Sequence, residues 1–350
     1  MSSAQVLPTD SLERFEYAVG EAVRLLRAGK VVALPTETVY GLAANALNAQ
    51  AVESIFHVKG RPRRNPLIVH VADLDMARQC VADWPALAAK AAHAFWPGPL
   101  TLVLPRAEVI PDIVTAGGPT VGVRWPSHPL MLAVIRACGF PLAAPSANLS
   151  NRVSPTNAAH VREQLGEHVP LIIDGGQSQV GIESTVLDLT TSPPRVLRPG
   201  MIHEPALVAA IGAVEVSAGT HSGVLRSPGL LRKHYAPRAS LVLWSWRDEA
   251  ELRRRVAQFS SSLPAGEGLG VRAPHSEVQR VHVIAHTHIP SGQGFARVSV
   301  IPHDAVAFAR AIYAELHACD QAGAELIIVE ALPPGGEWQA IADRLHRAAA

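Results

Sequence analysis

Lysine is scarce in this 350-residue chain: only Lys30, Lys59, Lys90 and Lys233 stand among its 31 basic residues. The rest are arginines, and 30 acidic residues bring the net charge to +1. Tight nucleic-acid binding draws on excess cations that neutralise phosphates, so this balance excludes a globally basic binder and leaves room only for a local patch. Cysteine is rarer still. Cys80, Cys138 and Cys319 lie far apart with no C-x-x-C pair, which supports neither a disulfide framework nor a structural zinc site. No apolar run approaches the roughly 20 residues of a membrane span, and residues 1–20 lack the apolar core of a signal peptide. These absences predict a protein of the reducing cytoplasm. The chain also has no G-x-x-x-x-G-K-[ST] sequence, so any ATP is held by something other than a P-loop.

What is present is ample apolar material, 48% of the chain, over a length that predicts two domains. Leu12, Phe15, Val19, Val23 and Leu26 recur at helical spacing, and Gly29 follows as a stop. Residues 31–34 read as a buried strand ending at Pro35, and a helix is expected from Asn48 through Val52, Ile55 and Phe56. Further strands are expected at 67–71, 100–104, 120–124, 142–144, 171–173 and 185–189, with helices at 86–95, 129–137 and 157–165. This alternation predicts an α/β fold with a mixed sheet and helices packed against it. Residues 216–238, rich in Gly and Ser, read as a linker or long loop. Beyond it, strands at 241–243, 269–271, 281–284 and 326–329 alternate with helices at 248–259, 305–318 and 338–347, a small βαβ-type domain. The expected divisions are therefore 1–215, 216–238 and 239–350.

Strand-to-loop junctions are where open α/β sheets place ligands, and four here carry polar clusters. Residues 35–41 (PTETVYG) follow a buried strand; their hydroxyls and carboxylate could orient a small polar substrate or form a polar turn. Residues 59–66 (KGRPRRNP) set Lys59, Arg61, Arg63 and Arg64 within six positions. That is a concentrated phosphate site, with planar Arg forks and a compact Lys charge, or else a solvated basic loop. The strand at 120–124 ends in Arg124, which could clamp a carboxylate or serve as a surface ion-pair partner. Residues 144–148 (APSAN) put Ser146 and Asn148 on a Pro-stiffened turn that could face a nucleotide or simply cap the turn. His282, His286 and His288 have ligand-like spacing, but with no nearby carboxylate they are expected to be surface histidines. No protein-held metal is expected. The glycine run at 266–270 reads as a loop.

Taken in order, PTETVYG (35–41), KGRPRRNPLIVHV (59–71), WPGPLT (96–101), PSAN (145–148), EST (183–185) and RPG (198–200) resemble the YrdC-type threonylcarbamoyl-AMP synthases. SPGLLRKHYAP (227–237) is similar to the segment joining the two domains in the longer form of that family. The resemblance implies a YrdC-like twisted mixed sheet with helices, a linker, and a smaller Rossmann-like C-terminal domain. It also implies a reaction: L-threonine, bicarbonate or CO2, and ATP give threonylcarbamoyl-AMP, pyrophosphate and water. That adenylate supplies the threonylcarbamoyl group for modifying the adenosine beside the anticodon of certain tRNAs, through a separate transferase.

Carried over by motif, Lys59, Arg61, Ser146 and Asn148 are the implied catalytic residues, and Thr38, His70, Arg124 and Ser184 line the threonine site. Asn65, Thr120, Ala144, Ser154, Arg198 and Tyr235 complete the ATP side with Lys59, Arg61 and Ser146. Mg²⁺ is expected to be held mainly by the phosphates and water. The linker bearing Tyr235 is expected to act as a lid that excludes water from a labile mixed anhydride. Two other classes stay open. One is a carbamoyl-transferring enzyme of a related YrdC-like type, although three scattered cysteines cannot build the zinc modules of such proteins. The other is an RNA-binding module using the basic loop, with at most a weak tRNA contact.

Overall fold

The computed structural model describes residues 4–216, 228–229, 234–262 and 280–350. Contacts divide the chain into two compact units. The first is Met1–Ser150 with Ser154–Leu231, and the second is Asn151–Val153 with Arg232–Ala350. The parts of the expected linker at 217–227 and 230–233, the expected strand at 269–271 and the glycine run at 266–270 lie outside the described residues.

The first unit opens with β1 (Gln5–Pro8), α1 (Leu12–Arg27), β2 (Val32–Leu34), β3 (Gly41–Asn45), α2 (Ala49–Lys59) and β4 (Ile68–His70). It continues with α3 (Leu74–Gln79), α4 (Ala86–Phe95), β5 (Leu100–Pro105), α5 (Asp112–Thr115), β6 (Thr120–Arg124), α6 (Pro129–Cys138) and β7 (Leu142–Ala143). It closes with α7 (Ala158–Leu165), β8 (Leu171–Asp174), β9 (Thr185–Asp188), β10 (Arg195–Arg198), α8 (Glu204–Ile211) and β11 (Glu215–Val216). Among the described residues these strands form one mixed sheet in the order β1-β8-β2-β3-β7-β4-β6-β5-β9-β10-β11. β1, β3, β10 and β11 are absent from the expected strands. β1 is short and contains Pro8, and β3 (GLAAN) has no β-branched residue to mark it.

Alternation along the strands sends successive side chains to opposite faces. Ala33, Leu42, Ala44, Val69, Leu100, Leu102, Val121 and Val123 enter one large core. On the other face Val32, Leu34, Ala43, Leu142, Leu171 and Ile173 pack under Ala18, Ala22 and Leu26 of α1 and Leu130, Val134 and Ile135 of α6. Each fully buried Val, Leu or Ile among them contributes about 1.5–3 kcal/mol relative to exposure. The α1–α6 core ends at β7. Further along that same face, the alternation presents Ile68 and His70 of β4, Thr101 of β5, and Thr120, Gly122 and Arg124 of β6. This stretch sets His70, Thr101, Thr120 and Arg124 among the apolar Ile68 and Val103, where its opposite face is apolar.

The second unit contains β12 (Ser240–Trp244), α9 (Glu249–Ser262), β13 (Val281–Ala285), β14 (Arg297–Val300), α10 (Ala305–Gln321), β15 (Leu326–Glu330) and α11 (Gln339–Ala348). Its sheet is all parallel, in the order β12-β15-β13-β14. Leu252, Val256, Val281, Val283, Leu326 and Ile328 form its core.

Of the three histidines expected at the surface, His288 is exposed, but His282 and His286 are buried, at 2% and 8% exposure, and a carboxylate is close by. Glu330, at the end of β15, accepts from the backbone N–H groups of His286 (2.7 Å), Thr287 (2.9 Å) and His288 (3.0 Å), and lies 2.8 Å from His288 Nδ1. Burial alone would raise the Glu330 pKa, but these bonds together hold it below the usual range. Parallel pairing of β13 with β15 brings the two ends together, although 44 residues separate His286 from Glu330. No helix among the described residues is long and apolar enough to cross a membrane.

Candidate active site

The loop after β2 is shaped locally. Thr36 Oγ1 donates to Val39 O (2.6 Å) and accepts from the Thr38 and Val39 amides, a Ser/Thr turn that tightens the chain before β3. The loop is then tied to two others. Leu42 N donates to Pro145 O and Ala147 N to Tyr40 O, both at 2.8 Å, and Gly41 bridges Ser146. On its other side, Val180 N donates to Glu37 O (2.8 Å), Gly181 N to Thr38 O (3.1 Å) and Ser178 Oγ to Thr36 O (3.0 Å). Backbone bonding therefore gathers the 35–41, 145–148 and 178–184 segments.

Lys59 ends α2, and Gly60 in the left-handed region (φ 58) turns the chain back so that Arg61 N reaches Phe56 O. The Lys59 side chain is 2% exposed. Its Nζ donates to Ser146 O and Asn148 O and lies 3.4 Å from Asn148 Oδ1. Burial, and then the neighbouring Arg61 charge, push its pKa well below the ordinary lysine value. The acceptor set opposes that shift, because three oxygens call for the three N–H groups of an ammonium. We read Lys59 as charged and pinning the 146–148 turn.

Arg61 folds onto its own loop, donating from Nε to Asn65 O (3.1 Å) and from Nη2 to Pro66 O (2.8 Å). The basic cluster does not act as one patch. Lys59 and Arg61 are buried, whereas Arg63 and Arg64 are exposed and Arg63 pairs with Glu53. β6 runs parallel to β4 with Ile68 opposite Gly122, so Thr120 lies towards the Arg61–Pro66 end of the strand pair.

At the other end of that pair, His70 lies opposite Arg124. Burial, and then the Arg124 charge, lower the His70 pKa to about 3, so its imidazole is neutral. Arg124 Nη2 lies 2.8 Å from Glu37 Oε1, with both side chains 4% exposed. Distance makes this an ion pair, yet the angles make no hydrogen bond. Arg124 Nε and Nη2 and both Glu37 carboxylate oxygens lack hydrogen-bond partners, as do the amide atoms of Asn65 and His70 Nδ1. Buried polar groups are ordinarily satisfied, so this concentration marks a place shaped for a ligand.

Nearby, Ser184 Oγ shares a 2.8 Å bond with Thr101 Oγ1 and accepts from Arg198 Nη2 at 3.1 Å, while Arg198 Nε donates to Ser184 O at 3.1 Å. Gly200 makes this approach possible, since a Cβ there would lie 2.3 Å from Thr185 N. Ser154 Oγ donates to Glu183 Oε1 at 2.6 Å.

Of the residues singled out in the sequence, Lys59, Ser146 and Asn148 meet directly, as do Ser184 and Arg198, and His70 and Arg124 are strand neighbours. Thr38 and Ala144 sit in loops bonded to these. Tyr235 belongs to the second unit. Its ring stacks 6.0 Å from Tyr313, with the Arg344 guanidinium 5.4 Å from its centre. Thr101 and Glu183 lie inside quoted motifs with no individual role expected of them, and the Glu37 carboxylate was expected only as one of several groups of the 35–41 loop that could orient a small polar substrate.

Fold and site define an α/β protein without a P-loop whose unsatisfied buried polar groups gather around one strand pair of its sheet. Residues 24–200 match the Sua5/YciO/YrdC family model, described as telomere recombination, and residues 200–350 match that of the threonylcarbamoyl-AMP synthase C-terminal domain. The chain belongs to this family, in its two-domain form. It is 37% identical over 337 residues to the threonylcarbamoyl-AMP synthase of Pyrococcus abyssi, covering 95% of this chain and 94% of that protein. To the Bacillus subtilis threonylcarbamoyl-AMP synthase it is 38% identical over 344 residues, covering 97% and 95%. The solved structure of P. abyssi Sua5 complexed with L-threonine superposes with a TM-score of 0.85 at 35% identity, covering 99% of this chain and 98% of that one.

Proposed function

We propose that this chain is an L-threonylcarbamoyladenylate synthase, joining L-threonine, bicarbonate or CO2, and ATP into threonylcarbamoyl-AMP with release of pyrophosphate, and of water where bicarbonate is the carbon source. The observation that carries the reading is the buried strand pair β4–β6. The Arg61 loop stands at one end and the unsaturated Arg124–Glu37–His70 group at the other. Residues 1–215 are the catalytic part. Arg124 takes the threonine carboxylate, with Thr38, His70 and Ser184 around it. Lys59, Arg61, Asn65, Thr120, Ala144, Ser146, Ser154 and Arg198 take ATP, and Asn148 holds Lys59 in place.

The carbamate and the triphosphate are both anions. Two unit charges 4 Å apart at a protein-surface dielectric repel by about 4 kcal/mol, which Lys59, Arg61 and Arg198 offset. A carbamate oxygen attacks the α-phosphorus and pyrophosphate leaves. Positioning and charge stabilisation suffice for such a transfer, so no nucleophilic side chain is needed. Mg²⁺ arrives on the phosphates, which with water supply most of its oxygen ligands. The adenylate passes to a separate transferase that modifies tRNA, in the cytoplasm.

The test is pyrophosphate release with ATP and bicarbonate, comparing threonine with serine and valine. Release is expected to need both threonine and bicarbonate. Release driven by carbamoyl phosphate, or independent of threonine, would assign the fold to another reaction.

A further inference from the structure

The threonine end of the site holds one more charged group than the reading above uses. Glu37 is 3% exposed. Its carboxylate touches the Arg124 guanidinium at 2.8 Å, yet neither oxygen has a hydrogen-bond donor. A buried carboxylate that only oriented an arginine would be expected to share the parallel N–H bonds of a bidentate pair. Here the guanidinium keeps Nε and Nη2 unpartnered, and the carboxylate keeps both oxygens. Each group is held beside the other with its hydrogen-bonding capacity unspent.

The two charges also cancel. The imidazoles nearby add none, since His70 is neutral and burial likewise lowers the pKa of His128, whose one opposing charge is Glu37 itself. A buried site containing one cation and one anion is matched by a ligand containing one anion and one cation. A monoanion would leave a net buried charge, which is strongly unfavourable. L-threonine is such a zwitterion.

We propose that Glu37 receives the α-amino group of threonine while Arg124 takes its carboxylate, so that Glu37 selects for amino acids over hydroxy acids. This rests on the threonine reading and deepens it. Once the nitrogen carries a carbamate the group is an anion. Glu37 then repels what it had held, favouring a turn of the carbamate away from it towards the cations that bind ATP.

The experiment is calorimetric titration of wild type, Glu37→Gln and Glu37→Asp with L-threonine and with 3-hydroxybutanoate, which is threonine without its amine. Wild type is expected to bind threonine at least 10-fold more tightly than 3-hydroxybutanoate. Glu37→Gln replaces a charged acceptor with a neutral one and is expected to lose roughly 10- to 100-fold for threonine, with 3-hydroxybutanoate held as tightly as by wild type or more tightly, because the variant no longer repels a monoanion. Glu37→Asp keeps the charge and is expected to keep the preference. An ATP-induced rise in melting temperature checks that each variant is folded.

If Glu37 merely orients Arg124, both ligands weaken in parallel in Glu37→Gln and the proposal is overturned. Equal binding of the two ligands by wild type overturns it without any variant. Absence of threonine binding to wild type would remove the threonine reading itself, and this inference with it.

Discussion

Arg124→Met removes one member of a buried ion pair and strands the other. At 2.8 Å and an effective dielectric of about 20, the gross attraction is about 6 kcal/mol. Desolvation of both ions opposes that gain, and no directional bond adds to it, so the net worth of the pair is small. Breaking it is another matter, because Glu37 then stays buried without a counter-charge, at a cost of about 3–5 kcal/mol. For a unit of this size 1 kcal/mol moves the melting temperature by about 2–4 °C, so the transition of the first unit is expected to fall by roughly 6–20 °C. Glu37→Gln strands Arg124 in the same way. The double variant, Glu37→Gln with Arg124→Met, buries no charge and is expected to melt above either single variant. Differential scanning calorimetry of the four proteins closes the cycle. A double variant that loses the sum of the two single losses would show that the ions do not sense each other, and the reasoning would fail.

Three further outcomes can be checked. Lys59→Met and Lys59→Arg both release the 146–148 turn, because a planar fork cannot replace an ammonium facing converging oxygens. Pyrophosphate release should drop by at least about 100-fold in each, measured as kcat/KM. Gly200→Ala drives a Cβ into Thr185 N at 2.3 Å. It should destabilise the unit by about 1–3 kcal/mol and weaken threonine binding through Ser184, read by a melt and a titration. His70 has a folded pKa of about 3 against 6.5 ordinarily. The unfolded chain therefore takes up a proton first as pH falls. Stability from this group is present above pH 6.5 and is lost downward through the window to about 3, by about 1.4 kcal/mol per unit. Gln at this position has nothing to protonate, so urea midpoints of His70→Gln should fall less steeply than those of wild type between those limits.

Much of the sheet was legible because it rests on local signals. Apolar runs such as 120–124 and 100–104 announce strands, and Gly29 after the helical pattern at 12–26 announces a helix end. What escaped was pairing between distant segments. Nothing near Glu37 in the chain indicates that its partner is Arg124, and a T-E-T turn reads equally well as solvated. His286 looked like a surface histidine because Glu330, from another strand, was invisible to spacing. Arg63 and Arg64 looked equal to Lys59 and Arg61, since charge count carries no information on which side chains a helix end and a bracing loop will bury.

The carboxyl edge of a parallel sheet ordinarily turns its amides towards an incoming phosphate. In the second unit three consecutive amides at that edge already face Glu330. Any nucleotide arriving there would have to evict a tethered rival, one that never diffuses away and so competes at high effective concentration. This half of the chain thus carries a resident tenant in the berth that gives its fold class a reputation for binding cofactors.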